Sequence, residues 1–351
     1  MRWICFLLLV LTAFAQNDPL ASFDPNRRLG WSQAGGYGSD TWQYDVIPSL
    51  SNAATTHVWS GPGLTNVLST ETGTNTMWFA ESWQIQKTSS VTVAIIDFYG
   101  FATNHPDLVN NLVSWTNVYT HGLITPAHHG TGVASLVGAE GDNGIGLVGA
   151  CWKVPMIFIQ CDYRNTSGGI PPNYAIAIDT AVKLGAKVVA IPNDMPGNVI
   201  ISNSLRKAAL SNVVFVVAAR NEYFNHDTGL DYPTTWRMAH VLTVTTSTRD
   251  GSLLAGGAGF GSQTVFASVL ARRIPVATAT DYGFDTGTSF ATGRAAGLVA
   301  LVRARFPQDN ITQLRARLAR VTPLGHPTIT GGLLNARRAL GFLPPAQLVT
   351  E

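Results

Sequence analysis

Charge is scarce in this chain. Only 13% of its 351 residues are Asp, Glu, Lys or Arg, and 23 basic against 21 acidic residues leave a net charge of +2. That balance creates no strong field of one sign, which excludes holding nucleic acid or an acidic membrane surface through a basic patch. Cysteine is almost as rare, with three in all, too few for a disulfide-built scaffold. Zinc patterns of the HExxH or paired CxxC kind are missing. Beyond the N-terminus there is also no apolar run of the ~20 residues needed to span a bilayer.

What is plentiful points to a compact globular fold. Hydrophobic residues make up 46% of the chain and there are 34 glycines, enough to bury a large core and turn often, which argues against disorder. At this length one large α/β domain with appendages is expected. The start reads Met1-Arg2, then an apolar run from Trp3 to Ala15 closing on Ala13-Phe14-Ala15. That is the pattern of a cleaved secretory signal, and Gln16-Asn17-Asp18-Pro19 stops it short of a membrane span. A secreted chain, extracellular or periplasmic and free of the membrane after cleavage, is the expectation.

Four stretches follow: a signal over 1–15, an irregular N-terminal segment over 16–76, a catalytic-sized domain over 77–345 and a tail over 346–351. Residues 16–76 are rich in Ser, Thr, Gly and Asn and show little periodicity. From Val91 onward, short all-apolar runs alternate with amphipathic segments. The runs Val91–Ile96, Pro155–Ile159, Val188–Ile191, Val213–Val217 and Val241–Val244 suit strands covered on both faces, hence a mainly parallel sheet. Asn173–Leu184 and Ser202–Leu210 have the length of crossover helices. The predicted architecture is a three-layer α/β/α sandwich. Cys151 and Cys161 flank one of these strands, which at ~3.3 Å per residue holds them too far apart to pair. Both are expected as free, buried thiols.

Functional groups of a parallel sheet collect at the carboxyl ends of its strands. Asp97 directly follows Ile95-Ile96, and His128-His129-Gly130-Thr131-Gly132 opens a helix. Asn221 follows the strand ending in Val216-Val217-Ala218-Ala219, and Gly287-Thr288-Ser289 opens a long apolar helix. A carboxylate, an imidazole, an amide donor and a hydroxyl are the parts of acyl transfer by serine. The hydroxyl needs a base, the base needs an orienting carboxylate, and the developing oxyanion needs N–H donors. The Gly-x-Ser-x-Gly elbow of a lipase or esterase is not present.

These blocks, in the order Asp, His, Asn, Ser, resemble the subtilisin-like serine proteases. The likeness extends through His105-Pro106-Asp107-Leu108, Asn143-Gly144-Ile145-Gly146-Leu147-Val148-Gly149, Ala295-Ala296-Gly297 and the closing Gly332-Leu333-Leu334-Asn335-Ala336. The resemblance implies Ser289 as nucleophile, His129 as general base, Asp97 as its orienter, and Asn221 as oxyanion donor. It further implies a polypeptide substrate held as an extended strand between Gly168-Gly169-Ile170 and Ala190-Ile191-Pro192-Asn193-Asp194. No organic cofactor is implied; calcium is common in the family, but no dense loop of oxygen ligands stands out here. The alternative is a catalytically silent domain of this type that binds peptides or partners.

Departures from the family pattern cluster at the substrate site. Arg220 and Asp194 replace glycines that line the pocket for the side chain preceding the scissile bond. They are expected to face each other there, giving a small or polar preference or blocking the pocket. Pro192 has no N–H to donate to a paired peptide. Phe98-Tyr99 puts bulk beside the triad. Gly293 inside the serine's helix is expected to loosen it, and His128 is expected to be structural. The arginines at 303, 305, 315, 317, 320, 337 and 338 read as solvated helix faces. Asn165-Thr166-Ser167 and Asn310-Ile311-Thr312 fit the glycosylation pattern, with Asn310 equally suited to cap a helix.

Overall fold

The computed structural model describes residues 55–61, 64–71, 77–143, 145–161, 173–253 and 257–341. The signal, Gly168-Gly169, the Asn165 sequon and the tail lie outside them. Within the N-terminal segment expected to be irregular, Thr55–Gly61 (β1) and Leu64–Glu71 (β2) pair as an antiparallel hairpin. The short run of alternating residues on each side of Pro62-Gly63 carries too little apolar content to stand out in sequence.

The main domain runs α1 (Phe79–Ser82), β3 (Val93–Asp97), β4 (Leu112–Asn117), α2 (His128–Gly138), β5 (Met156–Gln160), α3 (Asn173–Lys183), β6 (Val188–Ile191), α4 (Val199–Leu210), β7 (Val214–Ala218), β8 (Val241–Ser247), β9 (Ala267–Leu270), β10 (Ile274–Ala277), β11 (Tyr282–Asp285), α5 (Thr288–Arg305), α6 (Ile311–Leu318), β12 (Thr322–Pro323), β13 (Gly332–Leu333) and α7 (Ala336–Ala339). Nine strands form one sheet in the order β12-β13-β9-β8-β7-β6-β3-β5-β4. All neighbours are parallel except the short β12–β13 edge pair. The continuous apolar runs became the central strands, as expected for a sheet covered on both faces. The edge strand β4 was not legible, because only alternate residues are covered: Val113 and Trp115 are exposed.

Side-chain alternation divides the interior into two cores. Val93, Ile95, Val188, Ala190 and Val216 face α2 and α5, whereas Ala94, Ile96, Val189, Ile191 and Val217 face α3 and α4. Burial of each large aliphatic contributes ~1.5–3 kcal/mol, so the three-layer arrangement follows from the strands' composition. Cys151 and Cys161 sit on opposite sides of the sheet, Cys151 in the first core and Cys161 in the second, and neither is in a disulfide. Burial pushes the Cys151 thiol pKa well up.

Helix α5 is buried on nearly every face, including Arg294 and Arg303. The solvated reading of Arg303 is therefore corrected: its guanidinium donates to the Asn212 carbonyl at 2.8 Å. Asn310 caps α6 in a reciprocal capping box with Gln313. No helix among the described residues is long and apolar enough to cross a membrane.

The reading of Gly293 as a weak point is also corrected. A Cβ at that position would lie 2.6 Å from the Val133 carbonyl and 3.2 Å from the Leu136 Cβ. Glycine there lets α5 lie directly against α2, so both helix N-termini reach the same edge of the sheet. Gly293→Ala should therefore destabilise despite the ~1 kcal/mol that alanine gains in a helix. Overpacking against backbone outweighs that gain, and denaturant unfolding should show a net loss of about 1–2 kcal/mol.

Candidate active site

The chain leaves β3, places β4 and β5 on one side and β6 on the other, so a crevice opens at the carboxyl ends of β3 and β6. Asp97 is the last residue of β3 and is fully buried. One carboxyl oxygen accepts the Tyr99 N–H at 2.8 Å; the other lies 2.7 Å from Nδ1 of His129, in the first turn of α2. That contact places the Nδ1 proton and turns Nε2 away from the carboxylate. Tyr99 covers the imidazole with ring centroids 4.9 Å apart, which is the bulk expected beside it. His128 points elsewhere and pairs with Asp285 of β11 at 2.6 Å.

Ser289 is the second residue of α5. Gly287 before it adopts φ +152°, and a Cβ there would come within 3.0 Å of the Asn221 Oδ1. Backbone and neighbour both demand glycine. Asn221, three residues past the end of β7 at Ala218, accepts the Thr288 N–H at 2.8 Å and the Thr288 hydroxyl at 3.0 Å through its Oδ1. Because a backbone donor fixes the oxygen end, the Nδ2 donors are turned out of that contact. Thr288 thus orients the amide, a role that its place in Gly287-Thr288-Ser289 did not announce.

His129, Asn221 and Ser289 line one cleft of about 410 Å³ together with Pro192, Asn193, Asp194 and Arg220. The Ser289 hydroxyl donates to the Pro192 carbonyl at 2.8 Å, not to the imidazole. Of the expected substrate residues, Asn193, Asp194 and Arg220 line the cleft. The Ile191 side chain does not: strand alternation buries it in the second core. Among the described residues no group of three or more His, Cys, Asp or Glu side chains converges as a metal site.

Residues 88–335 match the model of the Subtilase family. The chain belongs to that family. It is 29% identical over 261 residues to subtilisin E of Bacillus subtilis (strain 168), covering 72% of this chain and 66% of that protein. To the thermostable alkaline protease of Halalkalibacterium halodurans it is 28% identical over 214 residues, covering 60% of this chain and 57% of that one. The chain thus spans somewhat less than two thirds of the length of these relatives. Among solved structures, a protease from Pseudoalteromonas arctica superposes with TM-score 0.61 at 18% identity, covering 76% of this chain and 94% of that one. The nisin leader peptidase NisP from Lactococcus lactis does so with TM-score 0.62 at 19% identity, covering 75% and 91%. These likenesses establish the three-layer subtilase fold.

In this subtilase the cleft has a charged floor with no local sequence signature. An antiparallel bridge between Met195 and Tyr232 sets the segment after β6 beside the loop after β7. Asp231 is thereby buried 3.7 Å from an Arg220 nitrogen and 3.3 Å from Nδ1 of His226. His226 directs Nε2 at the Ala219 carbonyl at 3.0 Å, so a neutral ring offers Asp231 a lone pair and not a proton. Burial first, then repulsion from Asp194 and Glu222 against attraction to Arg220, raises the Asp231 pKa from 3.8 to about 7. Burial lowers that of His226. The folded state thus holds the Asp231 proton where the unfolded chain has lost it. Stability from this group is present below pH 3.8 and falls as pH rises toward 7, by up to ~1.4 kcal/mol per unit. Asp231→Asn should therefore gain stability relative to the parent as pH rises from 4 to 7, with the difference level above that, in urea titrations at each pH.

Proposed function

We propose that the chain is a secreted serine endopeptidase that hydrolyses peptide bonds of polypeptide substrates through an acyl-enzyme. The observation that carries this reading is the 2.7 Å contact between buried Asp97 and His129 Nδ1, in a cleft shared with the Ser289 hydroxyl and the Asn221 amide. Family membership supports it, and the apolar run ending at Ala15 supports export.

Rotation about the Ser289 Cα–Cβ bond takes the hydroxyl from the Pro192 carbonyl toward Nε2, a change between staggered rotamers. His129 accepts the hydroxyl proton as the oxygen attacks the substrate carbonyl carbon. Asp97 stabilises the resulting imidazolium. The carbonyl oxygen becomes an oxyanion facing the Asn221 Nδ2 and the Ser289 backbone N–H, where the N-terminus of α5 adds partial positive charge. Collapse breaks the peptide C–N bond, with the His129 proton going to the leaving amine. Water then repeats the cycle on the ester. No organic cofactor enters these steps.

The hydroxyl's bond to the Pro192 carbonyl favours one second reading, a catalytically silent subtilase that binds peptides. A fluorophosphonate probe separates the two. Covalent labelling of the parent, lost in Ser289→Ala, is expected; an unlabelled but folded parent overturns the peptidase reading. Asn221→Ala should lower kcat with little change in KM, by the ~10²–10³ that the corresponding change costs in subtilisin.

A further inference from the structure

Outside the triad, the most unusual feature of the cleft is one guanidinium among three carboxylates. Arg220 lies 3.9 Å from Asp194, 3.9 Å from Glu222 and 3.7 Å from Asp231, with its Cζ 4.9 Å from the Phe224 ring centroid. None of these reaches hydrogen-bond distance, and the buried Nε has no acceptor. Beside it the Oδ1 of Asn193, itself only 7% exposed, has no donor. The site therefore holds more acceptors than its own arginine satisfies. Arg220 also adopts φ 61°, a left-handed conformation disfavoured for a side chain of this size. The chain thus places a long cation here in a strained backbone conformation and bonds it poorly.

We propose that Arg220 is an internal plug: its guanidinium occupies the acidic pocket that would otherwise receive a lysine or arginine side chain of the substrate, so the parent chain accepts small side chains there. This rests on the peptidase reading for the identity of the substrate, but not for the binding properties of the pocket. Two things follow from the geometry. Removing the guanidinium leaves Asp194, Glu222 and Asp231 facing an empty space, with the Asn193 oxygen as a further acceptor. A substrate cation entering that space would take up the charge that Arg220 now supplies. The raised Asp231 pKa fits the same view: burial raises it most, and repulsion from Asp194 and Glu222 adds more than Arg220 offsets.

The test uses p-aminobenzamidine, an arylamidinium whose fluorescence rises on binding and whose binding needs no hydrolysis. Arg220→Gly restores a residue at ease at φ 61°. Arg220→Asn, which also tolerates that region, guards against a folding failure of the first variant. Both should bind the amidine at least ~10-fold more tightly than the parent, ~1.4 kcal/mol, and adding Asp194→Asn should remove the gain. In a peptide-library digest the same variants should shift cleavage to follow Lys or Arg. Folded variants that bind the amidine no better than the parent, or a parent that already cuts after Lys or Arg, would overturn the proposal. Fluorophosphonate labelling is run alongside. Labelling without amidine gain sinks the plug and leaves the peptidase; amidine gain without labelling supports the plug and sinks the peptidase.

Discussion

How closely α2 and α5 approach each other sets the rest of the site. His129 and Ser289 each stand in the first turn of a buried helix, and these helices meet over the first core with Gly293 at the crossing. Any thickening of that contact would separate the two N-termini, and with them imidazole and hydroxyl. Asp97 and Asn221 are fixed independently, at the ends of β3 and past β7, by the register of a parallel sheet. The site is therefore the meeting of a rigid strand edge with two helix ends. One torsion, that of the Ser289 side chain, decides whether the hydroxyl stays on the Pro192 carbonyl or turns to the imidazole.

Two carboxyl–imidazole pairs show how position, not residue type, decides chemistry. At Asp97 and His129 the imidazole presents Nδ1 to the carboxylate at 2.7 Å, so a proton between them is shared as a hydrogen bond. At Asp231 and His226 the ring turns Nε2 to a backbone carbonyl and presents the carboxyl with Nδ1 at 3.3 Å. There burial and the neighbouring carboxylates keep the proton on the carboxyl up to about pH 7. The first pair fixes the orientation of an imidazole, and the second holds a proton beneath a crowded charge cluster. Both lie around one cleft because β3, β6 and β7 are neighbours in the sheet.

Much of this was legible in the amino-acid order. The central strands and the crossover helices fell within a few residues of their runs, because strands buried on both faces must be apolar throughout. The four candidate catalytic residues stand out in sequence because each follows an apolar run or opens a helix, and the structure brings His129, Asn221 and Ser289 to one cleft with Asp97 behind His129. Arg220 and Asp194 were expected to face one another, and they stand 3.9 Å apart. The edge strand β4 was not legible, since a half-covered strand leaves a mixed pattern, and the hairpin strands Thr55–Gly61 and Leu64–Glu71 hold few apolar residues. Ile191 was placed at the cleft by its neighbours, although strand alternation turns its side chain inward. Gly293 looked like a helix defect until the partner helix was seen.

The sequence by itself determined the layers, the cores and the chemical inventory of the site, because burial and strand-end positions are properties of local pattern. Only the tertiary structure decided which groups touch. The Ser289 hydroxyl on Pro192 and the Thr288 anchor of Asn221 join segments far apart in the chain, and Asp231 and His226 meet under Arg220 because the loop after β7 folds back on itself. Such contacts depend on how loops close over a finished sheet, and no periodicity of residues encodes that distance.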